Sequence, residues 1–269
     1  MSATPDPRRR GLTPLTVRQA EGGILIDMSA LRWCDPVHLA AAAALARHHS
    51  HNGGVRLIAP ANPEARSYVA RMRLGRVLDE LGAGHDLPGA REHDRRADLL
   101  EVRAVHDEED AVRLARLVAR RARQEDPEAS STLYACVVEM ALNVAEHAGD
   151  TGYVAAQTLP RQGWMRFAVA DTGVGLLATL AERGAADDRA AVRLALTGTS
   201  RFPQPSRGTG LPTTRRVLLR SDGWLLLASG TASLVAAAPG DVLHQQRPAF
   251  PGTLVQGALR IARDVYAGE

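Results

Sequence analysis

The chain has 269 residues, 45% hydrophobic and 23% charged, which is the composition of folded protein with room for one large domain or two modest ones and excludes collagen, coiled-coil and disordered classes. No apolar run reaches the roughly 18 residues of a membrane span, and the formal charge of +3 comes from arginines interleaved with acids, as at 91–96, so neither a membrane nor a nucleic-acid groove is expected. All 33 basic residues are arginine, and the absence of lysine excludes Schiff-base chemistry, a P-loop lysine and the strand lysine of protein kinases.

Residues 1–12 read as a flexible tail without the apolar stretch of a secretory signal. Gly23–Asp27 (GILID) reads as a short buried strand. Asp35-Pro36 resembles a helix start, with Asp as N-cap and Pro at the first position, and an alanine- and leucine-rich helix then runs to His49 before Asn52-Gly53-Gly54. Val55–Ala59 is a second strand, Asn62 the next cap, and 64–73 and 75–81 are helical. This β-α-β-α order predicts a small sheet with helices on one face. His38, His48, His49 and His51 read as surface histidines near a helix C-terminus, favoured there by the helix dipole, rather than as metal ligands. Residues 89–97 form a polar linker.

A second unit, 98–269, begins with a strand at 99–105 and helices at 108–124 and 129–148. Strands at 154–159 and 165–170 flank the hairpin signal Pro160-Arg161-Gln162-Gly163. Residues 176–207 read as irregular, 209–220 as helix, and 224–228, 233–237 and 253–261 as three further strands. Cys34 and Cys136 lie far apart in apolar segments, as two buried thiols of a reduced, cytoplasmic protein would.

Three spaced signals carry chemistry. Glu139, Asn143 and His147 recur every four residues, so on a helix they share one stripe. A Glu there can polarise an attacking hydroxyl or water, and an Asn carbonyl is a hard neutral ligand suited to magnesium already held by phosphates. The alternative is a solvent-facing polar stripe. Phe167-Ala-Val-Ala-Asp171-Thr-Gly173-Val-Gly175 ends an apolar strand at a carboxylate that can accept from an exocyclic amine, before glycines that allow close backbone approach. Arg207-Gly208-Thr209-Gly210-Leu211 opens a helix, a natural phosphate site through free N–H groups and the dipole.

In this order and spacing the three resemble the N, G1 and G2 boxes of the GHKL ATPase superfamily, over roughly residues 98–263, with Gly252-Thr253 resembling its late adenine-site threonine. The resemblance implies an α/β sandwich that binds Mg-ATP. Asp171 and Thr253 would hold adenine, Gly173 and Gly175 approach the ring, and Asn143 bind magnesium. Arg207, Gly208, Thr209, Gly210 and Leu211 would meet the phosphates, and 176–207 would form the lid. Glu139, where histidine kinases commonly carry Asn, and the position of His147 look most like the anti-sigma-factor serine kinases, with Glu139 as catalytic base. Without lysine, Arg201 or Arg207 would supply phosphate charge, solvation of the lid surface being the alternative.

Residues 13–88 resemble a STAS domain, the fold of anti-sigma-factor antagonists, through Ile26–Leu31, Cys34-Asp35, the alanine-rich helix, Val55–Ile58 and Tyr68-x-x-Arg71-Met72. Antagonists carry a phosphorylated Ser after the Asp, where this chain has Pro36, and Ser29 nearby reads as a turn residue. The fold expected is thus α/β and α+β, a STAS-like β-α sheet domain followed by a GHKL sandwich. The function implied is Mg-ATP-dependent phosphorylation of a STAS-type or sigma-factor-related protein partner, by a serine/threonine kinase or slow ATPase. The alternative is an ATP-gated interaction module with little or no phosphotransfer. A homodimer is the family-level expectation.

Overall fold

The computed structural model describes residues 15–51, 53–89, 99–123, 126–147, 151–159, 162–197 and 210–261; for Glu128, Glu146 and His147 it describes the backbone alone. Among these are eight α-helices and two sheets in a mixed α/β arrangement. The expected tail at 1–12, and the expected linker apart from Gly89, lie outside the described residues.

The first sheet has the order β1-β2-β3-β4, from β1 (Thr16–Ala20), β2 (Gly23–Asp27), β3 (Gly54–Ile58) and β4 (Gly84–His85). β1 and β2 form an antiparallel hairpin, Ala20 opposite Gly23, with Gly22 supplying the positive φ that the two-residue turn requires. β3 and β4 then add in parallel. β1 was not foreseen because it is a mostly exposed edge strand without an apolar face. Helix α1 (Pro36–Ser50) starts as its sequence predicts. Asp35 is the N-cap and accepts the Val37 N–H at 3.2 Å, and Pro36 opens the helix. Asn62 likewise accepts the Ala65 N–H at 3.0 Å to start α2 (Pro63–Arg71), which is followed by α3 (Leu74–Glu80).

The second sheet is fully antiparallel, in the order β5-β6-β7-β9-β8. Its strands are β5 (Leu99–Val105), β6 (Gly152–Leu159), β7 (Trp164–Asp171), β8 (Trp224–Ala236) and β9 (Val242–Arg260). Its helices are α4 (Glu108–Arg123), α5 (Pro127–His147), α6 (Gly175–Leu180), α7 (Asp188–Ala195) and α8 (Gly210–Arg220). Both faces of this sheet are buried, and the period-2 alternation of its strands says by what. Val154, Met165, Phe167, Val169, Leu225, Leu227, Val255 and Leu259 point into one core with the apolar stripes of α4, α5 and α8. The alternate residues Tyr153, Ala155, Ala168, Ala170, Trp224, Leu226, Leu254 and Ala258 form a second core with α1 and the first sheet.

Helix α1 is therefore a third layer laid across β6 and β7. Its run Leu39–Ala46 is buried all round, and alanine on both the helix and the strands beneath permits the close approach. Two further ties bind the first unit to edge strand β5. At the irregularity between Leu100 and Arg103, the Val102 N–H turns out to the Met72 carbonyl at 3.1 Å, and Arg73 Nε meets Glu101 Oε1 at 2.8 Å.

Three expectations are corrected. Residues 176–197 are mostly helical rather than irregular. Asp187 caps α7 through the Ala190 N–H, and Ala191, Val192 and Ala195 bury its apolar side; the remainder of the expected lid, 198–207, lies outside the described residues. The two strands expected at 224–228 and 233–237 are one strand, carried through Gly230 (φ +58) by a bulge, and β9 starts well before Thr253. His38 is not a surface residue at a helix C-terminus. It is 6% exposed at the N3 position of α1, where its Nδ1 takes the Asp35 N–H at 3.2 Å in a capping box. Both cysteines are free and buried, and no described helix is long and apolar enough to cross a membrane.

Candidate functional site

Asp171 ends β7 directly opposite Thr253 on β9, so two residues 82 positions apart in sequence are ladder neighbours. Asp171 lies on the sheet face that α4, α5 and α8 cover, alternating with Ala168 and Ala170 on the α1 face. It is 9% exposed, and its Oδ1 accepts the Gly173 N–H at 2.9 Å. Burial raises its pKa, the backbone N–H groups of Gly173 and Thr253 only partly oppose this, and the carboxyl titrates at about 6. Among the described residues no cation relieves it. The neighbouring Thr172 Oγ1 is buried without a hydrogen-bond partner. A buried carboxylate without a charged partner among the described residues can accept from a neutral donor such as an exocyclic amine, and the Thr172 hydroxyl is left free to bond as well.

Helix α5 positions the next pair. Leu133, Cys136, Val137, Met140, Ala141 and Val144 form its buried stripe, which leaves Glu139 exposed and Asn143 half-buried along its flank. Glu139 touches the start of α8: a Cβ on Gly210 would lie 2.7 Å from Glu139 Oε2. One turn further along the same seam, Cys136 is hydrogen-bonded to Thr214, and burial raises its thiol to about 12, an inert structural cysteine. At the other end of α5, Gly152 makes room for Val144 beside the Ala170 carbonyl. Helix α5 thus meets the start of α8 at Glu139 and, about a turn further along, packs Val144 on Gly152 beside the Ala170 carbonyl, the residue before Asp171.

The structure brings these residues together in two groups: Asp171 with Gly173 and Thr253, and Gly175 against Gly252 beside them; and Glu139 with Gly210 on the α5–α8 seam, with Asn143 one turn along α5. Leu211 is half-buried in α8 and packs on the core. Of His147 only the backbone, at the last residue of α5, is described; Arg201, Arg207, Gly208 and Thr209 lie outside the described residues. The glycines also do a job that the motif reading left out. Gly175 (φ +74) and Gly252 (φ +108) pack chain against chain, Gly252 on the Asp171 carbonyl and Thr172, Gly175 against Ser229. Among the described residues no group of three or more His, Cys, Asp or Glu could hold a metal. A cation here would need ligand oxygens from a bound phosphate beside the Asn143 amide.

Sequence reasoning missed the polar cluster on the opposite face. Arg166 of β7 and Gln256 of β9 reach Asp35 Oδ2 at 3.4 and 3.1 Å, and His38 Nδ1 stands 3.0 Å from Asp35 Oδ1. All four residues are buried. Burial would raise the Asp35 pKa, but His38, Arg166 and Gln256 outweigh it and hold the carboxyl at about 2. The signal available was a charge inside the apolar strand WMRFAVAD and an amide inside TLVQGAL. The start of α1 is thus buried against the sheet face opposite to the one that carries Asp171. No family model and no curated protein matches the chain.

Proposed function

We propose that the helix-covered face of the second sheet binds Mg-ATP and that the chain acts as a regulator of the anti-sigma-factor serine kinase type, in a cytoplasmic setting that its two free, buried thiols suit. The observation that carries this reading is that Asp171 faces Thr253 across the β7–β9 ladder while α5, whose Val144 packs on Gly152 beside the Ala170 carbonyl, sets Glu139 against the Gly210 start of α8. In this reading Asp171 accepts from the adenine amine, Asn143 ligates a phosphate-bound magnesium, and the free N–H groups at the start of α8 receive phosphate charge. Glu139 takes the proton of an attacking hydroxyl on a separate STAS-type or sigma-factor-related partner; that oxygen bonds the γ-phosphorus of ATP as the bond from the γ-phosphorus to the β–γ bridging oxygen breaks, and ADP leaves.

A second reading, an ATP-gated interaction module, is favoured by one observation: the chain's own α1 start has Pro36 in place of an acceptor hydroxyl and is buried against Arg166 and Gln256. Glu139→Gln separates the two. It keeps the shape, so affinity for an ATP analogue stays near wild type by calorimetry, while hydrolysis or phosphotransfer falls roughly 10²–10⁴-fold. Asn143→Ala instead weakens Mg-ATP binding. Wild-type turnover in Glu139→Gln, or no turnover by wild type with any partner, replaces the kinase reading by the module.

A further inference from the structure

Asp171 and Thr253 sit on different strands, with the Thr172–Val174 turn following Asp171 and Gly252, at φ +108 within β9, preceding Thr253. One side chain ties these two segments together. Ser229 of β8 is 3% exposed; its Oγ donates to the Gly252 carbonyl at 2.6 Å and accepts the Leu176 N–H at 3.0 Å. Three independent features of the chain make way for it. The β8 ladder shifts register on either side of Gly230, so Ser229 stands at the bulge, where strands re-aim side chains. Gly175 has no Cβ where one would lie 3.2 Å from Ser229 Oγ. Helix α6 has no side-chain cap of its own at Val174, and the Ser229 hydroxyl, from a strand 53 residues away, satisfies one of its free N–H groups.

We propose that Ser229 is the positioning residue for nucleobase recognition: by holding the start of α6 and the Gly252 carbonyl on one oxygen, it fixes the turn that follows Asp171 against the backbone that precedes Thr253 and so makes the Asp171–Thr253 pair selective for adenine. The proposal rests on the nucleotide-binding reading of Asp171 and Thr253. It assigns Ser229 no contact with the ligand; its effect passes through the two backbone segments.

The test is calorimetry on the full chain with three probes: a non-hydrolysable ATP analogue, the matching GTP analogue, and inorganic triphosphate. Wild type is expected to prefer the ATP analogue. Ser229→Ala is expected to lower that affinity about tenfold while the other two stay within about twofold, because one hydrogen-bonded staple at the base end is lost and the phosphate end is untouched. Ser229→Thr, which keeps the hydroxyl, is expected to restore the preference. If Ser229→Ala does not fold, Ser229→Cys takes its place with the same expected change of ratio. An equal loss for all three probes, or no loss, overturns the proposal and leaves the nucleotide-binding reading standing. Failure of wild type to bind the ATP analogue overturns both.

Discussion

Two buried aspartates in this chain meet opposite fates. Burial penalises both charges, but Asp35 has His38, Arg166 and Gln256 around it and titrates at about 2, whereas Asp171 has, among the described residues, backbone N–H groups and no charged partner, and titrates at about 6. Asp35 therefore contributes stability that is present above its unfolded pKa, near 4, and is lost as pH falls towards 2. Asp171 does the reverse: its contribution is full below about 4 and drains away as pH rises through 6. An amine donor needs the ionised form, so affinity for an ATP analogue is expected to fall as pH drops from about 7.5 to 5, and Asp171→Asn is expected to flatten that profile; calorimetry across the range checks it. Asp171→Ala removes the acceptor and should cost about 1–3 kcal/mol of binding at neutral pH. Asp35→Ala leaves the Arg166 guanidinium buried without its carboxylate. Urea unfolding is expected to show a loss of about 3–5 kcal/mol, far beyond what an exposed pair would give.

Among the elements, α1 and α4 show how the same helical period serves two environments. α4 buries Ala111, Leu114, Ala115, Val118 and Ala122 and turns Arg113, Arg116, Arg120 and Arg123 to solvent. α1 has no such polar side through Leu39–Ala46, because the first sheet covers part of it and β6 and β7 cover the rest. Its alanines set the spacing between layers. Ala43→Leu adds three heavy atoms where the native residue is fully buried, and is expected to cost about 1–3 kcal/mol by urea denaturation; the same change at exposed Ala135 of α5 should be close to neutral.

At the scale of the whole molecule, the second sheet separates two chemistries. The candidate nucleotide residues lie on its α4–α5–α8 face, and the start of α1 is clamped on the other by Arg166 and Gln256. Incubation of the full chain with Mg-ATP is accordingly expected to leave residues 35–38 without phosphate by mass spectrometry, and any transfer should appear on an added partner. Phosphate at high stoichiometry on Ser29, whose N–H is bonded to Asp27 Oδ1 at 2.8 Å in a turn, would instead point to an internal switch.

What the sequence determined by itself is what depends on near neighbours: the capped start of α1, the Asn62 cap, the buried stripe of α5 with Glu139 and Asn143 on its flank, and strand β7 ending at Asp171. Each follows from hydrogen bonds and periodicities spanning a few residues. The tertiary structure alone decided the rest. Only the packing shows that both faces of the second sheet are covered, one of them by α1. Arg166 and Gln256 became intelligible once Asp35, 131 and 221 residues away, was seen to share their pocket. Ser229 carries no local signal that sets it apart from Thr231 and Ser233 of the same strand, since no period or cap announces its partners. Its two partners, at Leu176 and Gly252, are brought together only by strand order and a bulge. Local interactions fix which conformations a segment prefers; which buried polar groups find partners is set by long-range pairing, because an unpaired polar group in the interior costs too much free energy to be left to chance.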